Sequence, residues 1–390
     1  MNFGKRIPMA FVRRSAACLA LTAAVSAVVP SVAAPAPPAN GELGFIVNHF
    51  GMTYEQNADD CPAGLANMLR DNFLDSLSEK ERVRISAPEN ADEFKKRFAL
   101  YARGPDDTDV CTHYDRFDHP PMLTVKGRKA QGFNLDDNAD GESVAANICP
   151  HANFVGRSGE PGIDNQLWRA MGCLEKFRGV EGAPPDTATQ FESSLANGEN
   201  AQVLLLRGVD SLENDDHVEV VYANTRDRAI LDFQGNFVPG ASYSEGDTPG
   251  GPNVLTGRIV NGVLEAKARQ IRLRQVYYLG RGLRDEDIRG TRTEWDLTGV
   301  RLHLEFQPDG SVSGMLGGYQ PLWGTPLLGA SLGGLGAAVG ANYDCASMYQ
   351  TIKLMADGDR DPETGQCRRI STAIRVSAVP AHVLIESEKE

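Results

Sequence analysis

Acidic and amide side chains alternate in the stretch DDNADGE, residues 136–142. Asp136, Asn138 and Asp140 occupy alternate positions before a glycine, which matches the start of a calcium loop built from oxygen ligands. Glu142 would add its backbone carbonyl. The pattern predicts a calcium site at these four residues.

The match to an EF-hand is incomplete because Asn147 stands where that loop has a bidentate glutamate. Two interpretations therefore stay open. One is a calcium loop looser than an EF-hand, and the other, which is favoured, is a turn in which Asp and Asn side chains bond to their own backbone. If calcium is bound, we expect it to brace a loop and not to perform chemistry, because Cys149 and an export signal accompany it.

A second acidic stretch, DGDRDPETG, places Asp357, Asp359 and Asp361 at alternate positions. Pro362 occupies the place where a calcium loop needs glycine, so the match is weaker. We treat these three residues as a secondary calcium site.

The stretch ENDDHVEVVY predicts a strand on which Asp215, His217 and Glu219 share one face. Such a row could hold a metal or act in acid-base catalysis. The alternative, a solvated face of a half-exposed sheet, is more common and is favoured.

The stretch GASLG matches the G-x-S-x-G turn that presents a nucleophile, with Ser331 as the nucleophile and His382 downstream. That turn requires alternating strands and helices, and the preceding region reads as consecutive strands, so we regard Ser331 as a weak catalytic candidate. His113, His119 and His151 are scattered at spacings that define no zinc motif.

Hydrophobic periodicity divides the chain behind residue 58 into three regions. Residues 59–200 read as helical and rich in loops, and one predicted helix in DNQLWRAMGCLEKF has Asp164 as its N-cap. Residues 201–322 contain seven short runs with a period of two and a turn signal at Asp309-Gly310. Residues 323–390 combine a glycine-rich segment, a helix and a closing strand.

These patterns predict an α+β protein: an antiparallel β-sandwich, lectin-like or jelly-roll-like, with a disulfide-braced helical N-terminal part. An even number of cysteines behind the export signal favours disulfides. Six cysteines allow fifteen connectivities, and we expect sequence neighbours to pair because short loops close most readily. The expected pairs are Cys61–Cys111, Cys149–Cys173 and Cys345–Cys367.

Residues 1–33 have the layout of a secretory signal peptide, with basic residues, an apolar run and small residues before a cut near Ala33. Residues 34–58 then form a leader or linker. The formal charge of the whole chain is −13, and the signal contains no acidic residue, so the exported chain is more acidic still. Such a surface repels nucleic acid and anionic lipid, and no stable membrane anchor is expected after cleavage.

The segments GIDNQLWRAMGC, LGGY and DPETG together resemble a family of uncharacterised exported bacterial proteins. The resemblance extends over most of the chain behind the signal. It implies a bacterial envelope location and one integrated fold, and it implies no activity, ligand or catalytic residue.

Three function classes follow from these observations. The preferred one is a periplasmic or secreted binding protein, braced by calcium, that recognises a saccharide or another small molecule. Four aromatic residues could stack against such a ligand, although each fits a core position better: Trp168, Trp295, Tyr319 and Trp323. The alternatives are an envelope hydrolase or lyase with a carboxylate-based site, and a structural envelope protein, so enzymatic activity stays undecided.

Overall fold

The computed structural model describes most of the chain behind the signal region. The described ranges are 40–66, 69–103, 110, 114–139, 145–180, 194–276, 292–322 and 344–385. They belong to one compact unit, Ala34–Glu390. The predicted signal peptide lies outside the described residues.

Ten strands form one sheet. They are β1 (Leu43–Met52), β2 (Gln202–Arg207), β3 (Asn214–Asn224), β4 (Ala241–Ser244), β5 (Asn253–Val260), β6 (Val263–Val276), β7 (Arg292–Phe306), β8 (Val312–Pro321), β9 (Gly358–Arg360) and β10 (Cys367–Leu384). β1 lies within the segment predicted as a leader.

The sheet closes on itself because β1 pairs with β2 on one side and with β10 on the other, while β10 also pairs with β8. The ring runs β1-β2-β3-β5-β6-β7-β8-β10, and each neighbouring pair is antiparallel. β4 and β9 add to β10 outside this ring. The predicted antiparallel, β-rich architecture is confirmed. The sandwich is not, because the described strands belong to one closed sheet and not to two stacked sheets.

Two tight turns explain how neighbouring strands of the ring are connected. Asn261 and Gly262 both have positive φ, 52° and 79°, which is the conformation that a two-residue hairpin between β5 and β6 requires. Asp309 and Gly310 form the turn between β7 and β8, as predicted, and Gly310 has φ 83°. Residues 257–266, GRIVNGVLEA, count as one of the seven predicted strand runs but form a hairpin and not a single strand.

Alternate side chains of the ring strands form one contiguous apolar core. On β3, for example, Val218, Val220 and Tyr222 are buried, whereas Glu219 between them is exposed. Burying one large aliphatic side chain contributes about 1.5–3 kcal/mol, so this alternation sets which face of each strand turns inward. The predicted period of two is seen from His217 to Val220, whereas Val221 and Ala223 on the opposite face of β3 are buried as well.

Six helices with described bounds lie outside the ring. They are α1 (Leu69–Asp75), α2 (Glu79–Ile85), α3 (Ala91–Arg103), α4 (Gln166–Met171), α5 (Glu175–Arg178) and α6 (Cys345–Leu354), with single 3-10 turns at Pro88–Asn90 and Tyr114–Arg116. Between Arg116 and Gln166 the described chain has isolated bridges but no longer element, so the region 59–200 is less helical than predicted.

The cap of α4 differs from the prediction by one residue. The Asn165 side chain accepts a hydrogen bond from the Trp168 amide at 3.2 Å, so Asn165 and not Asp164 is the N-cap. Asn serves as well as Asp in this position. The carboxylate of Asp164 is therefore available for other contacts.

The described disulfides join Cys61 to Cys173 and Cys149 to Cys367, with sequence separations of 112 and 218 residues. These pairs correct the expected pairing of sequence neighbours, because the fold places the paired cysteines beside each other, with Cα–Cα distances of 5.7 and 6.1 Å. Cys345 is also disulfide-bonded, and Cys111 lies outside the described residues. The Cys149–Cys367 bond attaches the irregular segment after residue 145 to the start of β10.

Candidate metal centre

Three side chains from separate segments converge beside the Cys149–Cys367 disulfide. Asp136, His151 and Asp164 each offer one ligand atom, and these atoms all lie within 4.8 Å of one another. The His151 Nε2 atom lies 2.8 Å from Asp164 Oδ1 and 3.9 Å from Oδ2 of a fourth residue, Asp357. We call Asp136, His151, Asp164 and Asp357 the acidic centre.

Asp164 is hydrogen-bonded to the loop at residues 133–136. Its amide donates to the Phe133 carbonyl at 2.7 Å, and its Oδ2 accepts hydrogen bonds from the amides of Leu135 at 2.7 Å and Asp136 at 3.3 Å. These bonds place the Asp136 side chain beside its own carboxylate. Asp164 is completely buried.

Asp357 enters the centre from the start of β9. Its carbonyl accepts from the Cys149 amide at 2.9 Å, and its Oδ1 accepts from the Ser371 amide on β10 at 2.7 Å. Its other oxygen, Oδ2, faces His151. The hydrogen bonds from Cys149 and Ser371 and the Cys149–Cys367 disulfide therefore hold the same segments together.

The orientation of His151 is set by its other ring nitrogen. Nδ1 lies 2.9 Å from the Cys149 carbonyl oxygen, which can only accept, so Nδ1 carries a proton. Nε2 is consequently the atom directed at the carboxylates. A backbone carbonyl on one ring nitrogen is the arrangement that orients metal-binding histidines through the other.

Two buried polar atoms at the centre have no hydrogen-bond partner among the described residues: Asp357 Oδ2 and the Tyr319 hydroxyl. Asp357 is fully buried, and Tyr319 is 7% exposed. The Tyr319 ring lies against Gly358, where a Cβ atom would clash with it, so the ring has little freedom to turn away. A buried polar atom without a partner costs about 1–3 kcal/mol.

The charges of the centre are unbalanced, with three carboxylates around one imidazole. Burial, followed by the negative charge of Asp164, raises the pKa of Asp136. Burial also raises the pKa of Asp357 to about 7. Removal from water and mutual repulsion thus both disfavour the ionised carboxylates.

The pKa values of the His151 imidazole and the Tyr319 hydroxyl are shifted by the same neighbouring carboxylates. Burial would lower the pKa of His151, but the hydrogen bond to Asp164 and the charge of Asp357 outweigh it and raise the pKa to about 9. Burial and the charges of Asp357, Asp164 and Asp136 raise the pKa of the Tyr319 hydroxyl. The imidazole therefore supplies one positive charge against three carboxylates.

The structure brings together one residue from each predicted calcium loop. Asp136 and Asp357 both belong to the acidic centre, whereas Asp359 and Asp361 face solvent and pair with Arg368. Asn138 lies next to the centre, and its amide donates to Asp136 Oδ1 at 2.9 Å. Asp140 and Glu142 lie outside the described residues.

The residues of the predicted catalytic row lie on β3, where the two carboxylates are engaged in other contacts. A bulge interrupts the strand at Asp215, whose carboxylate accepts backbone hydrogen bonds from Asp210 and His217. His217 is exposed, and Glu219 pairs with Arg207 at 3.2 Å. Ser331 lies outside the described residues.

Sequence reasoning missed two members of the acidic centre, Asp164 and His151, and the tyrosine beside it, Tyr319. Asp164 was assigned to a helix cap, His151 was one of several scattered histidines, and Tyr319 was considered as a stacking or core residue. The one local signal was the position of His151 two residues after Cys149. That signal gains meaning when the disulfide partner of Cys149 is known.

A second buried histidine–carboxylate pair lies among the helices. His119 Nδ1 is 2.8 Å from Asp344 Oδ1, and the ring of Tyr101 stacks on the imidazole with 3.8 Å between centroids. Asp344 Oδ2 accepts hydrogen bonds from Asn72 Nδ2 at 2.9 Å and from the Tyr101 hydroxyl at 3.4 Å. Asp344 is also the N-cap of α6, where it accepts from the Ser347 amide.

Comparison of the chain with models of protein families, with curated proteins and with solved structures found no match. Among the helices of the described ranges, none combines the length and apolar character needed to cross a membrane. The function is therefore inferred from the chemistry of the site.

Proposed function

We propose that this protein is an exported binding protein. Its acidic centre would hold one divalent transition-metal ion, which braces the fold. Asp136, His151 and Asp164 would be the ligands, and Asp357 would complete the shell. The disulfides support export, because such bonds persist in the periplasm or outside the cell.

The observation that carries the proposal is the buried Asp357 Oδ2 atom without a hydrogen-bond partner, directed at His151 among two further carboxylates. A divalent cation would supply the missing positive charge and the missing ligand contact together. Ligand atoms that share an ion at about 2.0–2.2 Å lie roughly 3–4 Å from one another. The separations within the acidic centre need small adjustments to reach that geometry.

The donor set favours zinc or manganese over the calcium expected from the acidic loops. Calcium takes oxygen ligands, whereas an imidazole nitrogen combined with carboxylates suits zinc and other first-row transition metals. His151 is the residue that makes this difference.

The burial of the ligands supports a bracing role. Asp164 and Asp357 are fully buried and the His151 side chain is 7% exposed, which leaves little room for a substrate at the ion. The ion would connect the loop at 133–138, the segment after Cys149 and the start of β9. These segments have few regular elements of their own, so such a connection stabilises them.

The test is thermal unfolding of the protein after EDTA treatment and after the addition of Zn²⁺, Mn²⁺ or Ca²⁺. At a free ion concentration 100 times the dissociation constant, binding to the folded state adds about 2.7 kcal/mol of stability. We expect Zn²⁺ or Mn²⁺ to raise the melting temperature and Ca²⁺ to have a smaller effect. Equal responses to all three ions, or none, would contradict the proposal.

Two variants and one matched control locate the ion. His151→Gln and Asp357→Asn should abolish the response to Zn²⁺. Asp359→Asn should retain it, because Asp359 is exposed, pairs with Arg368 and belongs to the predicted loop but not to the acidic centre. Asp359 has φ 55°, a conformation that Asn adopts readily, so this control should fold normally.

A further inference from the structure

A groove crosses the outer face of β5, β6 and β7, with a volume of about 580 Å³. Its floor includes Gly257 and Ala266, and Phe133, from the loop held by Asp164, forms a wall. This volume lies within the range of about 300–1,000 Å³ that small-molecule sites occupy.

Positive charges are concentrated along one row of this groove. Strand pairing places Lys267 directly opposite Arg301, and Arg258 directly opposite Glu265 on the neighbouring row. Like charges that face each other across two strands destabilise a sheet, and an acidic partner offsets Arg301 but not Lys267.

Acidic side chains pair with two of the three cations that line the groove, but not with Lys267. Arg301 pairs with Asp137 at 2.7 Å, and Arg258 pairs with Glu265 at 2.8 Å. Lys267 is exposed and makes no ion pair with any residue that the structure describes. Lys267 is therefore the cation of the groove lining whose charge has no ion-pair partner in the described structure.

The groove also offers an aromatic surface and hydrogen-bonding groups. The Phe133 ring packs on Gly317 of β8, where a Cβ atom would clash with it, so this wall is fixed. Thr256 on β5, His303 on β7 and Asp216 on β3 add a hydroxyl, an imidazole and a carboxylate. A ligand that uses all these groups has an apolar ring face, hydroxyl groups and a negative charge.

We infer that this groove binds an acidic saccharide, with Lys267 and Arg301 contacting a carboxylate of the sugar and Phe133 contacting a ring face. Cations alone would suit any anion, but the aromatic wall and the neighbouring hydroxyl, imidazole and carboxylate groups suit the hydroxylated ring of a sugar. The inference names the ligand of the proposed binding protein. It rests on groove residues that are not ligands of the acidic centre.

The experiment is isothermal titration of the metal-loaded protein with trigalacturonate, and with maltotriose as a neutral trisaccharide. Trigalacturonate should bind, more weakly as salt is added, and maltotriose should bind at least about tenfold more weakly, a difference of about 1.4 kcal/mol. Absence of trigalacturonate binding, or equal binding of the two sugars, would overturn the inference.

Lys267→Glu should weaken trigalacturonate binding by about tenfold or more, since it replaces an attractive charge with a repulsive one. Lys353→Glu on α6 is the matched control, because it makes the same charge change at an exposed position away from the groove and should leave binding unchanged. Equal weakening in both variants would mean nonspecific attraction and would refute the assigned site.

The response of the melting temperature to Zn²⁺ is measured on the same samples. Both lysine variants should retain it, because neither residue belongs to the acidic centre. Loss of sugar binding with an intact metal response rejects the groove alone. Sugar binding without any metal response rejects the proposed metal centre alone.

Discussion

The molecule contains two buried histidine–carboxylate pairs with the same local geometry. In both the nitrogen–oxygen distance is 2.8 Å, and in both the histidine side chain is 7% exposed and the aspartate fully buried. The pairs differ in what surrounds them. Their comparison shows which feature of a buried ion pair indicates a ligand.

In the His119–Asp344 pair, one imidazole faces one carboxylate, and both carboxylate oxygens have further partners in Asn72, Tyr101 and the Ser347 amide. In the acidic centre, one imidazole faces three carboxylates, and Asp357 Oδ2 has no hydrogen-bond partner in the described structure. The first pair is a completed structural contact. In the second, the excess of carboxylates and the unused oxygen support the proposed ion, and the distance between partners does not.

The largest expected effect is on the completed pair. Asp344→Ala should lower the free energy of unfolding by about 3–5 kcal/mol, because it leaves buried donors and the imidazole without their acceptor. Urea denaturation measures this loss, with and without EDTA. The loss should be the same in both conditions, and dependence on EDTA would show that the two regions are not distinct.

The next effect distinguishes a buried carboxylate that binds a metal ion from one that only stabilises the fold. In metal-free protein, Asp357→Asn should leave stability unchanged or raise it by about 1 kcal/mol, since the variant removes one of three crowded charges. In the presence of Zn²⁺ the variant should be less stable than the wild type. Urea curves of both proteins in EDTA and in Zn²⁺ test this reversal of sign, and a large loss in EDTA would argue that Asp357 is a structural acid like Asp344.

A smaller effect concerns acid stability. Burial pushes the pKa of Asp344 upward, but the hydrogen bond and charge of His119, with the bonds from Asn72 and Ser347, outweigh it and hold the pKa below the usual value. The resulting stability is present above the unfolded pKa of about 3.9 and is lost as the pH falls through the lower folded value. Asp344→Asn should therefore show a shallower loss between pH 5 and pH 2 than the wild type, roughly the range over which such a group titrates. Parallel acid limbs would refute the assignment.

The smallest effect compares two tyrosine hydroxyls. Tyr101→Phe removes a 3.4 Å hydrogen bond to Asp344 and should cost about 0.5–1 kcal/mol. Tyr319→Phe removes a hydroxyl without a partner in the described structure and should cost nothing in metal-free protein. Thermal unfolding of both variants in EDTA is sufficient, and a cost for Tyr319→Phe equal to that for Tyr101→Phe would remove this distinction.

Local patterns in the sequence predict much of the sheet. The alternation of Val218, Val220 and Tyr222 and the turn at Asp309-Gly310 both appear in the structure, because side-chain burial and turn conformation depend on neighbouring residues. Closure of the ring was not predictable in this way. β1 pairs with β10 across more than 300 residues, and a period of two carries no information about which strands become neighbours.

The members of the acidic centre likewise fall into those that the sequence identified and those that it did not. The acidic stretches identified Asp136 and Asp357 as possible ligands, because closely spaced carboxylates are visible in the sequence. Asp164 and His151 were not recognised as members of the centre, since one reads as a helix cap and the other has no metal-ligand spacing.

The sequence by itself determined an acidic chain, an antiparallel β-rich fold and loops rich in carboxylates, and it predicts an export signal. The tertiary structure alone decided that Asp136, His151, Asp164 and Asp357 meet, that Cys149 joins Cys367, and that Asp344 and not Asp357 has all its partners. The physical reason is the distance along the chain over which each effect acts. Hydrophobic periodicity and turn propensity act over a few residues, whereas the balance of charge and hydrogen bonds at a buried site depends on every segment that the fold brings to it.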